Sequence, residues 1–245
     1  MAVDFRRDGA RSSLLWDVLA HVVAARTATT GRLVLDIVDV GGGTGGLAVP
    51  FAALGHNVTV VDPSPDALAA AKRRAAEVSA QLAVVQGEAA SVDSLVGLAV
   101  ADLVICHNVL EYVDSPADAM AAIGRVLRPA ATVSVLASNA VAAVLHRALA
   151  GRFAYARRML ADTGTAPDAE LPRRFTLPEL TGLVEAAGLR AGEAHGLRIF
   201  SGLVPGALVD GDAAAAEGLR GLEGAAASYP PLRDIAAQLH LLAYR

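Results

Sequence analysis

Short, nearly continuous apolar runs alternate with amphipathic stretches along most of the chain. The runs "RLVLDIVDV" (32–40), "NVTVVD" (57–62), "LAVVQG" (82–87), "ADLVICHNV" (101–109) and "TVSVLAS" (132–138) read as strands. Their lack of a polar face indicates burial on both sides, as in a parallel sheet covered by helices. Between them lie helical patterns: "LAVPFAALG" (47–55), stopped by Gly55, "SPDALAAAKRRAAEVSA" (64–80) and "SPADAMAAIGRVL" (115–127). Ser64 is placed as an N-cap with Pro65 at the first helical position, and the third stretch is likewise capped and ended by "RP". Apolar residues at helical spacing from Leu14 to Val23 predict a leading helix over about 12–25. The alternation predicts an α/β fold with a doubly wound, mostly parallel sheet.

The rhythm breaks after Asn139. Residues 140–170 read first as helix, with the basic and aromatic "RFAYARRML", then as loop across "ADTGTAPDAE". It resumes with "TLPELTGLVEAAG" as a helix and "HGLRIFSGLV" as a strand. A mainly helical stretch over about 210–228 follows, and "AAQLHLLAYR" reads as a last strand. We read 1–245 as one domain with a helical insertion after the fifth strand, over 140–175. That insertion is expected to cover the acceptor site as a lid, because loops at strand C-termini hold ligands in open α/β sheets.

Composition narrows the classes. The chain is 54% hydrophobic but only 4% aromatic, so Ala, Val and Leu fill the interior. No apolar run reaches the roughly 18–20 residues of a membrane span, and the start of the chain lacks the apolar segment of a secretory signal. A cytoplasmic protein without membrane contact is the expectation. The lone Cys106 excludes an internal disulfide, and no spacing argues for a metal site. A net charge of −4 provides no global field for nucleic acid.

The most informative stretch is "DVGGGTGG" (39–46), five glycines in eight residues after the first strand. Gly41, Gly43 and Gly46 satisfy the G-x-G-x-x-G of dinucleotide-binding proteins. Gly41, Gly43 and Gly45 equally satisfy the D-x-G-x-G-x-G loop of methyltransferases that use S-adenosylmethionine, and a plain tight turn is the third reading. Asp62 ends the second strand, where a carboxylate accepts the ribose hydroxyls of an adenosine in either family.

The segment "ADLVICHNVLEYVDSPADAMAAIGRVLRPAATVSVLASN" resembles the fourth-to-fifth-strand region of class I methyltransferases, and "QGEAAS" stands where these border the adenine. The resemblance implies a seven-stranded, Rossmann-like sheet with the last strand antiparallel. It also implies S-adenosylmethionine as cofactor, a loop of Gly41, Gly42, Gly43 and Gly45 against its methionine part, Asp62 on the ribose, and Glu88 and Ala89 at the adenine. The family's "RPGG" turn reads "RPAA" here, so a different turn geometry is expected at Ala130 and Ala131.

Further stretches, "SNAVAAVLHRALAGRFAYARRML", "LPRRFTLPELTGLVEAAGL" and "HGLRIFSGLVP", resemble the bacterial tRNA 5-carboxymethoxyuridine methyltransferases, which methylate a carboxylate on a wobble uridine. This resemblance implies Arg11 and His107 as further cofactor contacts and tRNA as partner. Arg147, Arg152, Arg157, Arg158, Arg173 and Arg174, with Phe153 or Tyr155, are the supply for RNA contacts; a solvated helical face is the other reading. A carboxylate acceptor needs no base but does need orientation, and Arg174 and Arg198 are the candidates for a bidentate fork. The alternative is O- or N-methylation of a small-molecule metabolite, for which His107 is the best-placed base. Structural roles are expected for His146, His195, His240 and the buried Cys106.

Overall fold

The computed structural model describes residues 9–161 and 172–245 of the chain, with side chains described from residue 14 and not at residue 161. In chain order the elements are α1 (Gly9–Thr30), β1 (Asp36–Val40), α2 (Ala48–Ala53), β2 (Asn57–Asp62), α3 (Pro65–Glu77), β3 (Ala83–Gln86), α4 (Val92–Val96) and β4 (Ala101–His107). They continue with α5 (Pro116–Val126), β5 (Leu127–Ser138), α6 (Ala140–Leu149), α7 (Phe153–Ala161), α8 (Leu177–Ala186), β6 (Arg190–Leu197), α9 (Ala213–Ala226), α10 (Pro230–Arg233) and β7 (Gln238–Tyr244).

The strands form one seven-stranded sheet in the order β3-β2-β1-β4-β5-β7-β6. Pairing is parallel from β3 through β5. Ala130 N donates to Arg245 O (3.1 Å) and Arg245 N to Ala131 O (3.0 Å), while Asn139 N donates to Ala237 O (3.1 Å). These bonds join the start of β5 to the end of β7 and the reverse, so β7 runs antiparallel to β5. This is the class I methyltransferase architecture.

Two compact units divide the described chain. One comprises Asp17–Leu136, Thr181–Glu193 and Leu241–Arg245. Its interior is built from β1, β2 and β4, with Ile37, Val60, Leu103 and Ile105 at 1% exposure or less, and from the equally buried Phe51 on α2 and Met120 and Ile123 on α5. The other comprises Ala194–His240 with the described parts of 1–16 and 137–180, and has a small cluster of Ile199, Ala226 and Ala236.

Local chemistry explains most boundaries. Ser64 caps α3 by accepting from Ala67 N (3.2 Å), and Ser115 caps α5 by accepting from Asp118 N (3.2 Å), each with Pro at the helix start. Asn139 caps α6 by accepting from Val141 N (2.9 Å). The structure differs from the sequence reading in five places. The leading helix runs further in both directions, over Gly9–Thr30. The first strand starts only at Asp36, because exposed Leu33 and Val34 precede it. "RP" does not end α5 in a turn: β5 begins at Leu127 and carries Arg128 and Pro129 within it.

The fourth difference is at "HGLRIFSGLV". Only His195 to Leu197 belong to β6, which starts earlier at Arg190. The chain leaves the strand at Arg198, in the left-handed region (φ +59°). The backbone N–H groups of Ile199, Phe200 and Ser201 then all donate to the buried carboxylate of Glu223 on α9, at 2.8, 3.0 and 2.7 Å. A carboxylate from a distant helix takes the donors that a strand would have used.

The fifth is at "RPAA", which lies within β5 where its pairing with β4 shifts register. Ala130 itself adopts φ +57°, so a left-handed residue is kept there without glycine. Such a conformation costs a residue with a Cβ about 1–2 kcal/mol, while glycine adds about 0.4–1 kcal/mol of unfolded-state entropy. Ala130→Gly is therefore expected to stabilise the protein by roughly 0.5–1 kcal/mol, seen as a rise of about 1–3 °C in a thermal melt. An unchanged or lower midpoint contradicts this reading of Ala130. No helix among the described residues is long and apolar enough to cross a membrane.

Candidate functional site

The glycine loop leaves β1 and turns sharply beside the end of β2. Gly41 N donates to Val61 O (2.7 Å) and Gly45 N to Gly42 O (2.9 Å), and Val49 N at the start of α2 donates back to Gly45 O (3.0 Å). Gly41, Gly43 and Gly45 all have positive φ, at +65°, +54° and +77°. Gly46 does not, and a Cβ there would meet nothing. Glycine is thus required by the backbone at the three positions of D-x-G-x-G-x-G, and the last glycine of the dinucleotide fingerprint has no such need.

Space adds a second requirement. A Cβ on Gly41 would stand 2.3 Å from Val109 Cγ2, and one on Gly42 would stand 2.6 Å from the Asp39 carboxylate. At Gly43 the nearest neighbour would be Asp62 Oδ2 at 4.0 Å, so this glycine opens a gap beside the acid. Arg74 on α3 clips the loop from outside through Thr44 O and Oγ1, both at 3.2 Å.

Asp62 is 8% exposed and fixed at both oxygens. Oδ2 accepts from Gly43 N and Oδ1 from Ser64 N, each at 2.9 Å. Each carboxylate oxygen retains a further acceptor position. Gly87 N donates to Asp62 O (3.2 Å), which brings the segment carrying Glu88 and Ala89 alongside. Glu88 is exposed and precedes a short 3-10 turn; Ala89 is buried. A diol-bearing nucleoside fits this set: an anchored acid, an open glycine beside it and a small residue next to them.

Asp39 shares the loop. Burial, and then the nearby negative charge of Asp62, push its carboxyl up to about 7. The unfolded group titrates near 3.8. Folding therefore favours the protonated acid, and its contribution to stability is complete below pH 3.8 and lost as the pH rises through 7. Asp39→Asn is expected to remove this slope and leave the cofactor-free protein more stable at pH 8, by of the order of 2–4 kcal/mol. Urea unfolding at pH 5 and pH 8 checks it; parallel pH profiles for the two proteins would refute it.

His107 ends β4 with its ring held by Ser134, Nε2 to Oγ 2.7 Å. The next residue, Asn108, has φ +55° and donates its N–H to Leu136 O (2.8 Å), so the chain turns here. Ser134, wholly buried, was not singled out from the sequence, although a hydroxyl inside an apolar strand is a usable signal. Cys106 is wholly buried and burial raises its thiol far above the ordinary range, as befits a small hydrophobe.

The structure thus brings Gly41, Gly42, Gly43, Gly45, Asp62, Glu88, Ala89 and His107 to the strand ends of one unit. Arg11 falls in the first turn of α1, and its side chain lies outside the described residues. Arg174 and Arg198 belong to the other unit, Arg174 half-buried before Phe175 and Arg198 exposed. His195 and His240 form a buried stacked pair, Nδ1 to Nδ1 3.2 Å, which their separation in sequence conceals. Among the described residues, no group of three His, Cys, Asp or Glu is placed to hold a metal ion.

Known proteins share this fold and part of this sequence. Residues 38–135 match the family model described as a methyltransferase domain. Among curated relatives, the tRNA 5-carboxymethoxyuridine methyltransferase of Escherichia coli (strain K12) is 33% identical over 147 residues, 59% of this chain and 54% of that protein. A ubiquinone biosynthesis O-methyltransferase of Xanthomonas campestris pv. campestris is 34% identical over 131 residues, 53% of this chain and 52% of that protein. The chain spans about half the length of these curated relatives. A S-adenosylmethionine-dependent methyltransferase structure from Methanosarcina mazei aligns with a TM-score of 0.60 at 16% identity, covering 87% of this chain and 93% of that one.

Proposed function

We propose that the protein transfers a methyl group from S-adenosylmethionine to the carboxylate of 5-carboxymethoxyuridine at a tRNA wobble position. The observation that carries this reading is the similarity to the Escherichia coli tRNA enzyme, which extends over 147 residues, beyond the length of the methyltransferase domain at 38–135. When bound, the cofactor supplies an electrophilic methyl group on a sulfonium. The chain's part is to hold and orient. Gly41, Gly42, Gly43 and Gly45 leave the backbone open to the methionine portion, Asp62 takes the ribose hydroxyls, and Glu88 and Ala89 border the adenine. Arg11 and His107 complete the cofactor contacts.

A carboxylate acceptor is ionised near neutral pH, so its orientation replaces a base. Arg174 and Arg198 serve as the fork, and each stands on a fixed backbone. Phe175, next to Arg174, donates its N–H to Ser138 O (2.9 Å) and accepts from Ala140 N (3.0 Å). Arg198 accepts from Ala237 N (3.2 Å) and is followed by the three N–H groups that Glu223 holds. Its left-handed φ marks a strained position of the kind found at functional sites. The insertion over 140–175 is the acceptor lid in this reading; its residues 162–171 lie outside the described part.

Arg174→Ala and Arg198→Ala are each expected to lower kcat/KM for the carboxylate acceptor about tenfold to a hundredfold, the worth of a charge-assisted hydrogen bond. Cofactor affinity should stay unchanged in both. Unchanged kcat/KM in both variants would sink the arginine fork. The second reading, O- or N-methylation of a small metabolite, is favoured by the similarity to the ubiquinone biosynthesis enzyme and by the net charge of −4. In it, His107 on Ser134 would act as base, and His107→Ala would cut kcat rather than cofactor binding alone.

A further inference from the structure

We infer that the α6–α7 hairpin carries an anchoring site for the phosphate backbone of single-stranded RNA, with one exposed ring for a base. This rests on the RNA reading above. From Asn139 to Ala161 the chain contains Arg147, Arg152, Arg157 and Arg158 and no Asp or Glu. The charge is therefore local to this hairpin in a protein that is acidic as a whole.

The turn between the helices gathers the charges. Gly151 adopts φ +71°, and Arg152 N donates to Arg147 O (2.9 Å), so the last turn of α6 and the entry to α7 are tied at these two arginines. Tyr155 and Arg158 are three residues apart and share one face of α7. The guanidinium carbons of Arg147 and Arg158 both stand 5.2 Å from the centre of the Tyr155 ring. With Arg152 and Phe153 they line an open concavity of about 480 Å³. That is room for a nucleotide phosphate together with its base.

Two like charges gathered about one ring are held there against their repulsion. Cation–π contact uses the face of each guanidinium and leaves its N–H donors available. An anion in the concavity relieves the repulsion and uses those donors. Phe153 is 71% exposed. A ring left in water beside three arginines has the chemistry of a stacking platform for an unpaired base, since every base presents a π face and every linkage a phosphate. A purely structural hairpin gains nothing from that combination.

The test is fluorescence anisotropy of the full chain with a labelled, unmodified RNA hairpin bearing a seven-base loop, over a salt series. The unmodified RNA needs no methyl acceptor, so binding is read independently of transfer. The triple variant Arg147→Gln/Arg152→Gln/Arg158→Gln is expected to flatten the dependence of log affinity on log salt by about 2, at roughly 0.7 per phosphate contact on single strands. Its affinity should fall tenfold or more, while Arg73→Gln on α3 changes neither. Phe153→Ala should weaken binding roughly fivefold to a hundredfold with the salt slope kept. Arg152→Gln alone gives the same slope test, at about one-third the size, if the triple variant does not fold. Identical slope and affinity in the arginine variants would overturn the site. So would displacement of the RNA by inorganic phosphate at equal phosphate concentration, which marks a free-anion site. Patch-dependent RNA binding without methyl transfer to tRNA would leave the site standing and remove the proposed function; transfer to tRNA with indifferent patch variants would do the reverse.

Discussion

Asp62→Ala is expected to weaken S-adenosylmethionine binding by roughly a hundredfold or more, measured by isothermal titration. The carboxylate is placed to accept two ribose hydroxyls, and a hydrogen bond to a charged group contributes about 1.5–3 kcal/mol. Losing both corresponds to about 3–6 kcal/mol, before any change in the loop. The loop changes too, since Gly43 N and Ser64 N each lose an acceptor at 2.9 Å. Asp62→Asn keeps one oxygen and is expected to fall between the two. An Asp62→Ala protein that folds and binds the cofactor with native affinity would remove this acid from the site.

The second large effect belongs to the opposite end of the same strands. Asp102, at the start of β4, has a fully buried side chain. It accepts from Arg26 Nε (3.2 Å) and a terminal nitrogen of the same guanidinium (3.1 Å), from Arg32 (2.6 Å), from Arg128 (2.8 Å) and from Asp36 N (3.1 Å). Asp36 shares Arg32 and Arg128 at 2.8 and 2.9 Å. Burial acts to raise the Asp36 carboxyl, but hydrogen bonds from Arg32, Asn57 and Arg128 outweigh it and hold the group below its ordinary value.

Removing the buried member of such a cluster costs about 3–5 kcal/mol. The arginine side chains are 12%, 41% and 29% exposed, and Asp36 still serves two of them, so the lower end is expected. Asp102→Ala should therefore lose about 3 kcal/mol and drop the thermal midpoint by roughly 6–12 °C. Cofactor affinity below the transition should be retained, because the cluster and the glycine loop lie at opposite ends of β1. A variant that kept its midpoint and lost cofactor binding would contradict this separation of stability from binding.

Where side chains act on their own neighbourhood, the sequence was readable. "NVTVVD" is β2 residue for residue, and Ser64 and Pro65 start α3 because cap and ring geometry are local. The glycine stretch was legible as a site but ambiguous in register. The choice between Gly45 and Gly46 is made by backbone torsion, which no residue name carries when both are glycine. What failed was set by distant partners. "HGLRIFSGLV" has the apolar run of a strand, and only Glu223, more than twenty residues later, diverts its N–H groups. Arg26, Arg32 and Arg128 look like ordinary surface charges until Asp102 is seen beneath them. The pairing of His195 with His240 needs β6 beside β7, which is topology rather than local pattern. Ala130 shows the converse error: the left-handed residue was expected to need glycine, yet Ala130 adopts it where Ala130 and Ala131 bond to Arg245.

The most direct measurement is transfer of radiolabelled methyl from S-adenosylmethionine by the purified protein, with extract from a strain lacking it divided into bulk tRNA and small molecules. In that extract the acceptor sites are unfilled. Label is expected in tRNA, released by mild alkali as a methyl ester is. Label confined to the small-molecule fraction, or label in tRNA that resists alkali, would contradict methylation of a tRNA carboxylate.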